Sequence, residues 1–228
     1  MTAGVRAFVL GLLLVAGVLP QRMFGQAAGT ASTPAVFQIE FTNAKLSPPH
    51  WVLKFSQDGS GLFESDGGFA AAGERNQIVV GPIRRPVQLS PEFTAHVFTV
   101  ARQRKLFNFP CEGNLKVAFQ GTKKLSYAGP EGAGSCEYNY SKDKEIQELG
   151  DSLQGVETTI LDGARLEMLL QHDRLGLDKA MEDLAGEAHS GNALEVGTIR
   201  EILSRIALDD QVMERARRKA RLLLTQAR

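Results

Sequence analysis

Residues 58–61 read Asp-Gly-Ser-Gly, and three chemistries could use them. A serine between glycines can be a nucleophile, an aspartate beside it can bind calcium, and the same residues can make a turn. A nucleophilic serine needs a base within hydrogen-bond reach, itself oriented by a third group. Neither Gly-Asp-Ser-Gly-Gly nor Gly-x-Ser-x-Gly, the orders that commonly surround such a serine, is present. The histidines fall in a proline loop (His50), a helical stretch (His96), a charged segment (His172) and a break (His189). Calcium loops repeat oxygen ligands at alternate positions. Here Asp58 is followed by Gly, Ser and Gly, and the next acids are Glu64 and Asp66. An Asp-Gly between alternating segments is a turn signal, so this is the reading adopted for the motif.

Elsewhere the sequence holds no H-E-x-x-H, P-loop or dinucleotide fingerprint. No catalytic, cofactor-binding or metal-binding residue is therefore assigned. Glu182-Asp183 and Asp209-Asp210 are adjacent and diverge around a helix or start one, unlike a glycosidase pair. The basic run 215–221, Arg-Ala-Arg-Arg-Lys-Ala-Arg, reads as a solvated helix face, with Glu214 set to pair with Arg218 and Met213, Ala216, Ala220 and Leu223 on the apolar stripe. Asn139-Tyr140-Ser141 fits a glycosylation sequon. Cys111 and Cys136 are the chain's two cysteines. They lack C-x-x-C spacing and have no histidine within ten residues, so a disulfide is expected in an oxidising compartment.

Such a compartment is implied by the start of the chain. Arg6 precedes the apolar run Ala7 to Leu19, which Pro20 ends. Thirteen residues give a helix of roughly 20 Å, short of the about 30 Å hydrocarbon core. The run is read as a secretory signal, cut after Ala27, with an uncleaved anchor as the alternative. The mature part keeps 24 basic and 26 acidic residues, and such near-neutrality gives no global attraction to nucleic acid. It has no later apolar run long enough to span a membrane.

Between leader and C-terminus the pattern is strands, then helices. Phe37, Ile39 and Phe41 alternate with polar residues, as do Trp51, Leu53 and Phe55. An odd loop at Asp-Gly-Ser-Gly brings Phe63 onto the same face, in a register setting Lys54 opposite Glu64 and Phe55 opposite Phe63. Pro82 and Pro86 predict an edge strand. Ser90-Pro91-Glu92 starts a helix running to about Lys105, with Phe93, Val97, Val100 and Ala101 inward. A second hairpin is expected around Gly121–Lys123, pairing Val117 and Phe119 with Tyr127 and Leu125; Gly-Pro-Glu-Gly-Ala-Gly-Ser, 129–135, is read as a loop. From Lys142, Ile146, Leu149, Leu153, Val156 and Ile160 recur at helical spacing, and Asp178 and Thr198 to Glu201 mark further helix starts.

The signal, the W-x-L-x-F-x-x-D-G-S-G-x-F-x-S stretch, the Ser-Pro-Glu helix, the cysteine pair and the helical tail together resemble a group of exported bacterial proteins of unknown function. The resemblance implies a periplasmic or secreted setting and carries over no catalytic residue. The expectation is an α+β protein with an antiparallel sheet of about five to seven strands, a helix after the first half and a C-terminal helical region. Its divisions are a signal peptide at 1–27, a disulfide-tied sheet domain at 28–141, and helices at 142–228 that pack on it or form a small lobe. The expected role is a non-catalytic binding or structural protein of the cell envelope, with an envelope protein partner docking through the C-terminal helices and no cofactor. The alternative is an exported hydrolase whose site is assembled from distant residues.

Overall fold

Alternation of apolar and polar side chains forms the first hairpins of the computed structural model, which describes residues 34–69 and 79–227 together with Met1. Strands β1 (Val36–Thr42), β2 (His50–Ser56) and β3 (Ser60–Ser65) bury Phe37, Ile39, Phe41, Trp51, Leu53, Phe55 and Phe63 on one face. Phe63 joins Trp51, Leu53 and Phe55 on that face, but the register differs from expectation by two residues. Leu53 lies opposite Phe63, Lys54 opposite Leu62 and Phe55 opposite Gly61. The connecting residues are Gln57, Asp58 and Gly59. Gly59 takes φ +81°, and a Cβ there would stand 2.4 Å from the Leu89 carbonyl oxygen. A side chain at Gly61 would meet Phe55 Cβ at 2.6 Å. The Lys54 carbonyl and the Phe55 Cβ thus leave room for a glycine, rather than Phe63, opposite Phe55.

Two short strands, β4 (Gly68–Phe69) and β5 (Val79–Val80), pair with each other, and β6 (Ile83–Gln88) pairs with β3. With β7 (Thr122–Gly129) and β8 (Gly132–Tyr138), the main sheet has six strands in the order β6-β3-β2-β1-β7-β8, every neighbouring pair antiparallel. Pro86 sits in the outermost strand, where a missing N–H is tolerated. The expected hairpin at Gly121–Lys123 does not form. Both edges of β7 are occupied, by β1 and by β8, so residues 115–120 find no free edge there. The turn instead falls at Pro130-Glu131, inside the stretch read as a loop. Gly132 and Gly134 in that stretch belong to strand β8. A Cβ on Gly134 would lie 2.4 Å from the Leu106 carbonyl oxygen, so its absence admits a neighbouring backbone.

Helix α1 (Pro91–Gln103) begins where the Ser90 hydroxyl accepts from the Phe93 amide at 3.2 Å. It buries Thr94, Val97, Phe98, Val100 and Ala101, adding Phe98 to the expected stripe while Phe93 is only partly covered. It stops short of Lys105 because Lys105, Leu106 and Phe107 adopt φ of 50°, 56° and 66°. A left-handed turn of non-glycine residues costs roughly 1–2 kcal/mol each. Burying the Phe107 ring edge-on against Phe37, centroids 5.8 Å apart, offsets part of that. Four residues later Cys111 is bonded to Cys136 of β8, with Cα atoms 5.7 Å apart.

Helix α2 (Lys144–His172) is capped by the Asp143 carboxylate, and Arg104 ties it to α1 through Asp143 (3.1 Å) and Glu145 (3.0 Å). Its first half packs Ile146, Leu149, Leu153, Val156 and Ile160 on the sheet. Its second half gives Leu166, Leu169 and Leu170 to another core with α3 (Leu177–Ser190), α4 (Arg200–Leu208) and α5 (Glu214–Gln226). Thr198 does not cap α4: its hydroxyl donates to the Glu195 carbonyl in a 3₁₀ turn, and the helix starts from Ile199 without a side-chain cap. Among the described residues, no helix is long and apolar enough to cross a membrane.

The Tyr138 hydroxyl donates to the Ile146 carbonyl at 2.9 Å and lies 2.1 Å from where a Cβ on Gly150 would stand. Gly150→Ala is therefore expected to lower stability by about 1–3 kcal/mol through overpacking. Gly186→Ala on α3, where a Cβ meets nothing within 4 Å, should raise it by about 0.5–1 kcal/mol. Urea unfolding of both variants checks the pair, and a stabilised Gly150→Ala would contradict the packing of α2 on β8.

Candidate functional site

The Asp-Gly-Ser-Gly residues are spent on their own turn. Asp58 Oδ1 accepts from the Ser60 hydroxyl at 2.6 Å and from its amide at 3.0 Å. The hydroxyl and then the amide hold the Asp58 carboxyl below its ordinary value. The turn faces solvent, and Ser60 is directed at a carboxylate rather than an imidazole. His50 Nε2 lies 3.2 Å from Glu40 on the sheet face away from the helices. His96, His172 and His189 are exposed on separate helices. The histidines are not brought together.

The other acidic and basic candidates pair among themselves. Lys179 meets Asp183, Lys219 meets Glu182 (3.6 Å), and Arg174 meets Asp209 (3.5 Å). Within the basic run, Arg215 pairs with Asp178 at 2.7 Å, while Arg217 and Arg221 both take Glu214. Glu214 thus reaches i+3 and i+7 instead of the expected Arg218. Much of the run is engaged in holding α5 to its surroundings. Ala27, the expected cleavage position, lies outside the described residues.

A groove of about 810 Å³ runs between the start of α1 and the segment before α4. Two of its charged side chains already have partners: Glu195 accepts from the Ser90 amide and hydroxyl at 2.5 and 2.8 Å, and Arg200 donates to the Ala227 carbonyl. Sequence alone gives no sign of this second cap on α1, because Glu195 lies 105 residues away from Ser90. On α2, burial first and then the charge of Asp162 push the Glu157 carboxyl up to about 8; burial pushes Asp162 up to about 6.

A more distinctive arrangement lies where β1, β2, β7 and β8 end together. Residues 112–121 leave the sheet as a loop, fixed at its base. The Gly113 amide donates to the Tyr140 carbonyl at 2.6 Å, and the Gln120 amide donates to Asn139 Oδ1 at 2.7 Å. Asn139 Nδ2 donates to the Ala118 carbonyl at 3.3 Å, and the Asn139 amide donates to Glu112 at 2.6 Å. The sequon asparagine is thus the loop's anchor. Asn43, at the base of the β1–β2 loop, donates through Nδ2 to the Gln120 carbonyl at 3.0 Å, which joins the two loops. From this pinned base Leu46, Leu115, Val117 and Phe119 project with 51%, 52%, 42% and 59% of their surface exposed. The alternation of Leu115, Val117 and Phe119 that predicts a strand is here a row of apolar side chains in water.

Beside this tip, Lys123 starts β7 with its side chain pointing into the core, 2% exposed. Its Nζ reaches within 3.8 Å of Asp151 and 5.6 Å of the Tyr138 ring centre. The amine therefore runs along the sheet toward a surface carboxylate, as long cationic side chains do. Burial lowers its pKa below 10.5, and the charge of Asp151 opposes that shift.

No protein-family model matches the chain, and no curated protein sequence matches it.

With a folded pKa below the unfolded value, Lys123 binds fewer protons when folded, so its contribution makes stability rise with pH as the unfolded value of 10.5 is approached. Lys123→Met should remove that dependence and leave stability at neutral pH equal or higher by about 1 kcal/mol or more. Denaturant midpoints from neutral pH to above pH 10 check this; a destabilised variant with an unchanged pH slope would show that the amine is held by stronger contacts than Asp151 and Tyr138.

Proposed function

We propose that this chain is an exported, non-catalytic binding protein of a bacterial cell envelope, and that the loop tip at the end of the sheet is its contact surface. The observation that carries the reading is the combination of a fixed base and unburied apolar ends. A loop held by Asn139, Asn43 and Tyr140 spends little further conformational entropy on binding. Leu46, Leu115, Val117 and Phe119 leave about half of their surface in water, where burial would stabilise each by about 1 kcal/mol. Exposed apolar groups gathered on two joined loops in this way are a mark of interaction sites.

Export accords with the bonded Cys111–Cys136 pair, which persists in oxidising compartments, and with the signal-like start of the chain. This surface is favoured over the C-terminal helices because four of the five basic residues of α5, Arg215, Arg217, Lys219 and Arg221, are engaged with Asp178, Glu182 and Glu214.

A photo-reactive amino acid at Phe119, with a second position at Leu208 on α4, distinguishes the surfaces in intact cells. Adducts from Phe119 in the envelope fraction, on a chain whose N-terminus is Ala28, are the expected outcome. Adducts from Leu208 alone would return the partner to the helices, and a cytoplasmic chain beginning at Met1 would end the exported reading.

A further inference from the structure

We infer that the tip formed by Leu46, Leu115, Val117 and Phe119 docks on an anionic lipid surface. The inference rests on the reading of this tip as the binding surface and names what it binds. Three features of the tip select a bilayer over a protein groove.

The first is charge. Lys45, Lys116 and Lys142 are exposed on and beside the two loops, and Lys142 packs its Cγ within 3.3 Å of where a Cβ on Gly113 would stand. Among the described residues no ion pair occupies these lysines, and they outnumber the loop's one acid, Glu112, which keeps its charge while accepting from the Asn139 amide. Local positive charge on a chain with no net charge is suited to anionic headgroups, which attract each nearby lysine.

The second is the interleaving of residue types. Lys45 directly precedes Leu46, and Lys116 stands between Leu115 and Val117. Lysine is depleted in the cores of protein interfaces, where its charge would have to be stripped of water. At a bilayer surface the same arrangement is favourable: apolar ends enter the boundary between headgroups and acyl chains while the lysine stems bend back to the phosphates.

The third is shape. Residues 114–120 are all exposed, and the Val117 amide bonds back to the Leu115 carbonyl at 3.0 Å, folding the row into a narrow turn. A pinned tip with every residue from 114 to 120 in water presents its apolar ends outward. It can enter a soft, deformable layer without rearranging.

Co-sedimentation of the exported chain, beginning at Ala28, with vesicles tests the inference, comparing vesicles rich in phosphatidylglycerol with vesicles of phosphatidylcholine alone. The expected result is binding to the former, weakened by added salt and weaker by about tenfold or more in Phe119→Ser. Lys45→Glu with Lys116→Glu should abolish the preference for the anionic vesicles. Because these side chains lie in water, the variants should keep the parent's urea midpoint, which confirms that they are folded. Binding that is equal on both vesicles, or unchanged by Phe119→Ser, would overturn the inference. If vesicles are not bound but Phe119 cross-links to a protein in the envelope, the lipid assignment fails and the binding reading stands; if neither occurs, both fail.

Discussion

One apolar sheet face governs this fold. Phe37, Ile39, Phe41, Trp51, Leu53, Phe55 and Phe63 come from three consecutive strands and point the same way. Their rings pack in two groups, Phe37 with Phe55 at 5.2 Å, and Phe41 with Trp51 at 5.5 Å and Trp51 with Phe63 at 6.1 Å between centroids. No other part of the sheet can cover that face, so α1 and the first half of α2 must lie on it. The contact of Phe98 with both Phe55 and Tyr127 fixes where α1 lies, and the Tyr138 hydroxyl against Gly150 fixes α2. The left-handed turn at Lys105–Phe107 follows from the same demand, since it directs Phe107 back onto that face.

The tip is a by-product of this arrangement. β1 lies inside the sheet, between β2 and β7, and β7 is closed on its other side by β8. The segment between the left-handed turn and β7 must travel from one end of the sheet to the other with no free strand edge on β7 to follow. Its amides and carbonyls are met by Asn139, Asn43 and Tyr140 instead, and the disulfide fixes its start. Apolar residues that would pack if the segment were a strand are left outside. The same closure explains why Lys123, the first inward position of β7, must carry its amine past Tyr138 to reach Asp151.

Much of the fold is legible in the sequence because its signals are local. The alternation around Trp51 and Phe63, the Ser90 cap and the spacing of Ile146 through Ile160 each report burial over a few residues. What is not legible depends on partners far along the chain. Val117 and Phe119 alternate like strand residues, and only the occupancy of both β7 edges denies them a partner. Gly134 reads as loop because glycine usually marks one, whereas here it makes room for the Leu106 carbonyl. The register at Asp-Gly-Ser-Gly turns on Gly61 yielding space to Phe55, a contact that charge pairing of Lys54 and Glu64 does not reveal. For the candidate site, Asn139 is legible as a sequon but not as the anchor of a loop some twenty residues before it. The exposed tip was hidden for the same reason as the missing hairpin.

The loop before β7 is fixed at both ends and bare between them. Amide hydrogen exchange resolved to single residues tests this most directly. The amides of Gly113 and Gln120 should be protected by the Tyr140 carbonyl and Asn139, while those of Leu115, Lys116 and Phe119 exchange near the rate of an unstructured chain. Protection of Leu115 and Phe119 comparable to that of Leu125 and Tyr127 in β7 would mean that the segment is a paired strand. Free exchange at Gly113 and Gln120 would mean that the tip is not held, and either result would contradict the account.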